Sequence, residues 1–143
     1  MRVQQISIFL ENKSGRLAKV TETLGENSIN IRALSIADTT DFGILRLIVD
    51  RPEQAVKALR ETGFVVSTTE VLAVELDDTP GALSGAMHAL DGVQINIEYL
   101  YAFVQKDPQK ALVVFRVEQL DEAVKVLREN GITLLSSEEV YRM

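Results

Sequence analysis

Two short stretches of the sequence carry an acidic residue, then an asparagine or aspartate, then a glycine and a leucine in the same order, 66 positions apart. The first reads ENKSGRL from Glu11 to Leu17, and the second reads DDTPGAL from Asp77 to Leu83. Glycine permits a tight bend, and the helix predicted to follow it points free N–H groups and the positive end of its dipole at that bend. The chemistry that this pattern favours is the non-covalent binding of a carboxylate or a phosphate.

An asparagine follows each stretch at a matching position, within SINI and QINI. We expect Asn30 and Asn96 on the next strand, on the side opposite their flanking isoleucines, where an amide can donate and accept hydrogen bonds at once. The structural alternatives are that both asparagines face water at a strand edge and that Gly15 and Gly81 only form turns. The residue types favour ligand binding over these alternatives.

Groups suited to catalysis are sparse. His88, the single histidine, is predicted beside the buried stripe of a helix and partly exposed. Glu11, Asp77 and Asp78 could pair as carboxylates, but acids in a loop before a helix usually face solvent or cap the helix. Without cysteine there is no disulfide and no thiolate metal site. The sequence therefore predicts no enzyme, no metal and no cofactor, and an unfamiliar catalytic site is the least favoured hypothesis.

Length and charge narrow the choice of partners. The chain has 143 residues and a net charge of −6, which argues against sequence-independent nucleic-acid binding because that depends on neutralising phosphates. It has no apolar run long enough to span a membrane and no secretory signal. We expect a cytoplasmic protein that binds neither nucleic acid nor membrane.

The elements that must position these residues also occur twice. AVKALRETG, from Ala55, returns as AVKVLRENG, from Ala123, now 68 positions later, which places a two-residue insertion near VQKDPQK. Hydrophobic periodicity predicts the order β-α-β-β-α-β in each copy, with a hairpin at DTTD and a final strand at ITLLSS. Pro80 is expected to begin the first helix of copy two, capped by Thr79 or Asp78.

This order predicts an α+β protein of two tandem ferredoxin-like βαββαβ sandwiches, each with four antiparallel strands and two helices on one face. The predicted domains are residues 1–70 and 71–143. The second strand of each copy is apolar on both sides: Ile29 and Ile31 are expected to oppose Leu34 and Ile36. In copy two, residues 95, 97, 99, 101 and 103 are expected to oppose residues 100, 102 and 104. Part of the reverse face is therefore expected to be covered, unless strand two simply carries surplus apolar residues.

Two other classes of protein with this fold have sequence signatures that this chain lacks. RNA-recognition modules carry aromatic and basic residues on the third strand, whereas FGILRLIVD and KALVVFRVE do not match that pattern. A copper chaperone needs cysteine ligands.

At these residues the chain resembles a tandem pair of ACT domains, the regulatory amino-acid-sensing modules of amino-acid metabolism. The resemblance rests on ENKSGRL and DDTPGAL, on SINI and QINI, and on the element order. It implies that domains pair side by side, and that the loop before helix one of one domain faces strand two of its neighbour with an amino acid between them. The implied ligand-binding residues are Asn12, Ser14, Gly15, Arg16, Leu17, Asn30 and Ile31, and in copy two Asp78, Gly81, Ala82, Leu83, Asn96 and Ile97.

Two departures from the family pattern change the binding properties that we expect of the two pockets. The serine-sensing domain of phosphoglycerate dehydrogenase has a histidine two positions before the loop asparagine, where this chain has Leu10 and Leu76. Asp78 replaces the asparagine in copy two, and Pro80 removes one N–H group. We expect unequal pockets, with Asn12–Gly15 the better carboxylate site, and with copy two favouring an ammonium group or no ligand.

The resemblance thus implies a non-catalytic regulatory module that senses an amino acid at ACT–ACT interfaces, forms a homodimer and acts on an enzyme of amino-acid metabolism. The alternative is a structural, oligomerising or enzyme-docking module that binds no ligand.

Overall fold

The computed structural model describes residues 2–38, 41–104 and 107–143. Two residues of the predicted DTTD hairpin and two of the VQKDPQK insertion lie outside these ranges. Seven strands and five helices are found in the described residues. In chain order they are β1 (Arg2–Glu11), α1 (Arg16–Glu26), β2 (Ile31–Asp38), β3 (Phe42–Val49), α2 (Pro52–Glu61), β4 (Val65–Asp77), α3 (Ala82–Asp91), β5 (Ile97–Ala102), β6 (Lys110–Val117), α4 (Leu120–Glu129), β7 (Thr133–Leu135) and α5 (Ser137–Tyr141).

The chain divides into two compact units. The N-terminal unit comprises residues 4–69 and 141–143, and the C-terminal unit comprises residues 2–3 and 70–140. The strand order is β2-β3-β1-β4 in the first unit and β5-β6-β4-β7 in the second. This order and the antiparallel pairing confirm the predicted α+β, ferredoxin-like class.

Alternation along the strands creates the core of the N-terminal unit. Ile6, Ile8 and Leu10 of β1 pair with Leu47, Leu45 and Gly43 of β3 and point to the same side of the sheet. Helices α1 and α2 cover that side with a helical stripe that includes Val20, Leu24 and Leu59. These side chains form one buried cluster, which anchors α1 and α2 on the sheet.

The C-terminal unit repeats this arrangement with different side chains. The core strands contribute Leu72, Val74 and Leu76 of β4, together with Phe115 of β6. Helices α3 and α4 contribute Leu90 and Leu127, among others. Phe115 is fully buried and is the largest of the fully buried side chains.

Residues near the end of the described chain complete the N-terminal unit. The Arg32 side chain is only 9% exposed, and its guanidinium donates a hydrogen bond of 3.0 Å to the carbonyl of Tyr141. The backbone N–H of Gln4 donates to the Tyr141 hydroxyl at 3.1 Å. Tyr141 thus partners a buried charge, which would otherwise be costly to bury.

Two predicted strand boundaries are wrong. The last predicted strand of copy one and the first predicted strand of copy two form one 13-residue strand, β4, because no glycine or proline interrupts a run rich in β-branched residues. The final strand ends at Leu135, and α5 follows it. Ser136 Oγ accepts from the Glu139 N–H, and the Glu139 carboxylate accepts from the Ser136 N–H, both at 3.2 Å. This capping box ends the strand and begins the helix.

The expected start of α3 also differs. Gly81, and not Thr79 or Asp78, is the N-cap residue, and no side chain caps the helix. Helix α3 begins at Ala82, after Pro80, since Gly81 adopts a left-handed conformation with φ of 90°. Gly15 makes the same bend before α1, with φ of 88°.

The asparagines lie just before the second strands and not on them. Strand β2 begins at Ile31 and β5 begins at Ile97. The backbone N–H of Asn30 donates to the Asp50 carboxylate at 2.9 Å, and the Asp50 N–H donates to the Asn30 carbonyl at 3.1 Å. This side-chain contact replaces a ladder hydrogen bond, so the strand starts one residue later.

The predicted faces of the second strands are also wrong, because a local irregularity shifts the register of each strand. A register shift between Ile31 and Ala33 places Ile31, Leu34 and Ile36 opposite core-facing residues of β3. They therefore share the helix side of the sheet, because a bulge rotates the side chains that follow it. In β5, a shift after Ile97 has the same effect: residues 97, 100 and 102 oppose core-facing residues of β6, whereas Tyr99 and Tyr101 point to the reverse side.

Part of the reverse face is buried, as predicted. Tyr101, Phe103 and Val114 are buried in the C-terminal unit. In the N-terminal unit, Phe9 and Phe42 stack with ring centroids 5.0 Å apart but are exposed.

Candidate functional site

The loop before α1 is held in place by backbone hydrogen bonds. The Asn12 N–H donates to the Asp41 carbonyl at 2.8 Å, and the Lys13 N–H donates to the Glu11 carbonyl at 2.8 Å. The Lys19 N–H donates to the Gly15 carbonyl at 3.0 Å as the helix begins. The Arg16 N–H donates to the Lys13 carbonyl at 3.4 Å, whereas a helix gives the N–H groups of the next two residues no internal partner.

The first turn of α1 carries neither a side-chain cap nor an acidic residue, and α3 shares both properties. Helices α2 and α4, in contrast, have acids in the first turn: Glu53 in α2, and Asp121 and Glu122 in α4. Those acids interact favourably with the positive end of the dipole. The first turns of α1 and α3 have no such acid, so the positive end of each helix dipole can interact with another anion.

A cavity of about 160 Å³ lies beside the start of α1 in the N-terminal unit. Its lining comes from β1, the loop, α1, β2 and β3: Leu10, Glu11, Asn12, Lys13, Arg16, Leu17, Ile36, Gly43 and Leu45. The polar and charged members lie between the last residue of β1 and the first residue of α1, whereas β2 and β3 contribute apolar residues and one glycine. We call residues 11–16 of the lining its charged end, and Leu10, Leu17, Ile36 and Leu45 its apolar end.

Charges at the polar end sum to an excess of one cation. Glu11 contacts Lys13 at 2.9 Å and Arg16 at 3.5 Å. The hydrogen bond from Lys13, followed by its charge, holds the pKa of the Glu11 carboxyl below its ordinary value. The folded state therefore favours ionised Glu11 above the unfolded pKa, and this contribution disappears as the pH falls through the lower, folded pKa. At neutral pH, Glu11 is an anion and two cations flank it.

A cavity of about 250 Å³ in the C-terminal unit carries the opposite excess charge and lies at a different place in the fold, beside residues 131–133 after α4. Its charged lining residues are Glu75, Asp77 and Lys110, and Lys110 contacts Asp77 at 2.6 Å. The hydrogen bond to Asp77 is the main reason that the pKa of Lys110 is raised. Since Lys110 already pairs with Asp77, a bound carboxylate would meet a net negative charge.

No group of three or more His, Asp or Glu side chains among the described residues is arranged to hold a metal ion. Helices long and apolar enough to cross a membrane are also absent from the described part of the chain.

Comparison with known proteins identifies the family. The family profile described as "ACT domain pair" matches residues 1–143. The chain belongs to the family of ACT domain pairs. A comparison with curated proteins finds no match.

Solved structures with the same fold include three that are informative for this ACT pair. Protein BT0572 from Bacteroides thetaiotaomicron is 43% identical with a TM-score of 0.94, over 100% of this chain and 98% of that chain. The ligand-free regulatory subunit of aspartate kinase from Thermus thermophilus is 18% identical with a TM-score of 0.66, over 89% and 91% of the two chains. The regulatory subunit from Thermus flavus is 17% identical with a TM-score of 0.62, over 90% and 92%. At these lower identities, the two Thermus proteins share the fold alone.

The ACT pair brings only some of the predicted site residues together. Asn12, Arg16 and Leu17 line the cavity of the N-terminal unit, with Ser14 and Gly15 in the adjoining bend. Asn30 is exposed and does not line this cavity, and neither does Ile31, which packs against the core. In the C-terminal unit, the cavity is lined by Ala82, but not by Asp78, Gly81, Leu83, Asn96 or Ile97.

Several lining residues were not predicted. Lys13 lies between two predicted residues, and its position inside ENKSGRL was the available signal. Ile36 and Leu45 belong to strands, and only the pairing of β2 with β3 brings them to the loop.

Replacing Gly15 by alanine should lower the free energy of unfolding by about 1–2 kcal/mol, because a residue with Cβ is strained in the left-handed region. A Cβ at this position would meet no atom within 4 Å, so a clash does not contribute. Gly25 provides the matched control, since it lies inside α1, also has open space around it and has no positive φ. Gly25→Ala should stabilise the protein by up to about 1 kcal/mol. Urea unfolding of both variants measures the difference, and changes of the same sign would contradict this account of the bend.

Proposed function

We propose that this ACT pair is a non-catalytic regulatory module that binds an amino acid in the cavity of the N-terminal unit and acts on an enzyme of amino-acid metabolism. The observation that carries the proposal is that one small cavity is lined by both charged and apolar residues. A free amino acid has the same combination, with two charged groups on one carbon and a side chain beyond them.

The charged end offers complementary groups for both charges of the ligand. The N–H groups of the first turn of α1, with Arg16 and Lys13, suit the carboxylate. Glu11 is the acidic side chain of this lining and is ionised, so it can accept from the ammonium group when Lys13 and Arg16 turn to the carboxylate of the ligand. Asn12 lines the same end and can contact either group through its amide.

The two units should bind unequally. The loop of the C-terminal unit has Asp78 in place of Asn12, and Asp77 and Glu75 line the neighbouring cavity. These anions raise the cost of a bound carboxylate. We infer that the N-terminal unit binds the effector, and that the C-terminal unit accepts an ammonium group or no ligand.

A homodimer remains a prediction. Strand β2 is at the sheet edge of the N-terminal unit. Unpaired edges of this kind are ready to pair with a second chain. In such a dimer, Asn30 and Ile31 would contact the ligand from the partner copy, as the family resemblance implies.

The regulatory assignment is supported by the family. The second candidate function is a docking module that binds no metabolite. It is favoured by the exposed apolar patch formed by Phe9, Phe42 and Ile44.

A thermal-shift screen of the full chain against the common amino acids separates the two functions. For a sensor, the effective amino acid should raise the melting temperature with increasing concentration, and about 2.7 kcal/mol of stabilisation is expected at a hundred times its Kd. The corresponding amine, which lacks the carboxylate, is the control and should have little effect. If no amino acid raises the melting temperature, the docking function replaces the sensing function.

A further inference from the structure

We propose that the cavity of the N-terminal unit selects amino acids with an aliphatic side chain, of the leucine, isoleucine, valine and methionine class, and that Ile36 is a specificity-determining residue. This inference rests on the proposed function, since it concerns the side chain of the same ligand.

The apolar end of the cavity is built from four residues of four elements: Leu10 of β1, Leu17 of α1, Ile36 of β2 and Leu45 of β3. Leu10 and Leu45 are buried core residues and form the floor. Leu17 and Ile36 keep 41% and 49% of their surface exposed and form the walls. Two half-exposed apolar walls over a buried apolar floor leave surface that an aliphatic group can cover favourably.

The polar side chains of the lining come from one short stretch of the chain. Every charged or amide side chain in the lining belongs to residues 11–16, at or next to the loop. When these groups hold the ligand's carboxylate and ammonium, a hydroxyl, carboxylate or amine further along the ligand would face only leucine and isoleucine side chains. Such a group would lose its hydrogen bonds to water without gaining a partner, so polar amino acids are disfavoured.

The volume is suited to a single small amphiphile. At about 160 Å³ the cavity is well below the roughly 300–1,000 Å³ of sites for drug-sized ligands. Each ligand methylene that leaves water should tighten binding about fourfold. Leucine has three more carbon atoms than alanine, so it should bind roughly 60-fold more tightly.

The β2 bulge explains why Ile36 belongs to this site. Ile36 pairs with Leu45, a core-facing residue of β3, only after the register shift between Ile31 and Ala33. Without the shift, the side-chain alternation would turn Ile36 to the other face. Leu34 precedes it by two residues, faces the same side and is 46% exposed, but it does not line the cavity.

Ile36 and Leu34 therefore form a matched pair for calorimetry with the full chain. Ile36→Ala should weaken leucine binding about tenfold and change alanine binding less than twofold, because alanine is too short to reach the wall. Leu34→Ala should leave both affinities unchanged. Both residues are half exposed at a sheet edge, so neither substitution should prevent folding.

Each possible outcome supports or contradicts the aliphatic selectivity or the sensing function. Tightest binding of leucine, isoleucine, valine or methionine, with a selective loss in Ile36→Ala, supports the inference. Tighter binding of serine, aspartate or lysine, or an equal loss for leucine and alanine in Ile36→Ala, overturns the aliphatic selectivity while the sensing function stands. If no amino acid binds, both proposals fail.

Discussion

Replacing Arg16 by glutamate should weaken binding of the effector amino acid by about a hundredfold. Arg16 lines the charged end of the cavity, and its contact with Glu11, at 3.5 Å, is long enough to leave donors for a ligand. Loss of one charge-assisted hydrogen bond costs about 1.5–3 kcal/mol, and the introduced anion adds repulsion. Isothermal titration calorimetry at constant ionic strength measures the change.

Lys19→Glu is the matched control for that experiment. Lys19 lies on the same helix, is about half exposed and contacts Glu22 at 3.9 Å, but it does not line the cavity. The substitution changes the net charge by the same amount, so it reports any long-range effect, which salt should screen. Similar losses in both variants would argue against a carboxylate site at the start of α1.

Replacing Phe115 by alanine should lower the free energy of unfolding by about 3–5 kcal/mol. Phe115 is completely buried in the centre of the C-terminal unit, and its truncation removes apolar contacts and leaves a cavity. A guanidinium titration followed by circular dichroism measures this loss.

Leu100 is the control for Phe115, because the two residues are direct cross-strand partners. Leu100 keeps 39% of its surface exposed, so Leu100→Ala should cost less than about 1.5 kcal/mol. Equal costs at the two positions would contradict the assignment of Phe115 to the core.

The element order was predictable because both copies of the repeat show the same pattern. Helices and strands also bury their apolar residues at different periods. Leu24 and Leu90, or Leu59 and Leu127, occupy the same place in the two copies and are all buried. The errors arose where a local interaction overrides the periodicity. Ser136 and Glu139 begin a helix inside a predicted strand, and the sequence did contain that signal in its S-x-x-E spacing.

The candidate site was less predictable than the fold. ENKSGRL identified the bend at Gly15 and the cation Arg16, because both belong to one continuous stretch. Ile36 could not be found this way. Its face depends on the bulge in β2, and simple alternation assigned it to the wrong side. The charge of each cavity depends on strand pairing as well, since β6 brings Lys110 to Asp77.

The bond between Arg32 and Tyr141 has a consequence for biosynthesis. The two residues are 109 positions apart in the chain, and translation proceeds at about 5–20 residues per second, so Tyr141 is made roughly 5–20 s after Arg32. An N-terminal unit that folds during that interval lacks the carbonyl to which the Arg32 guanidinium donates. The Arg32–Tyr141 hydrogen bond of the N-terminal unit can therefore form only after the residues of the C-terminal unit have been synthesised.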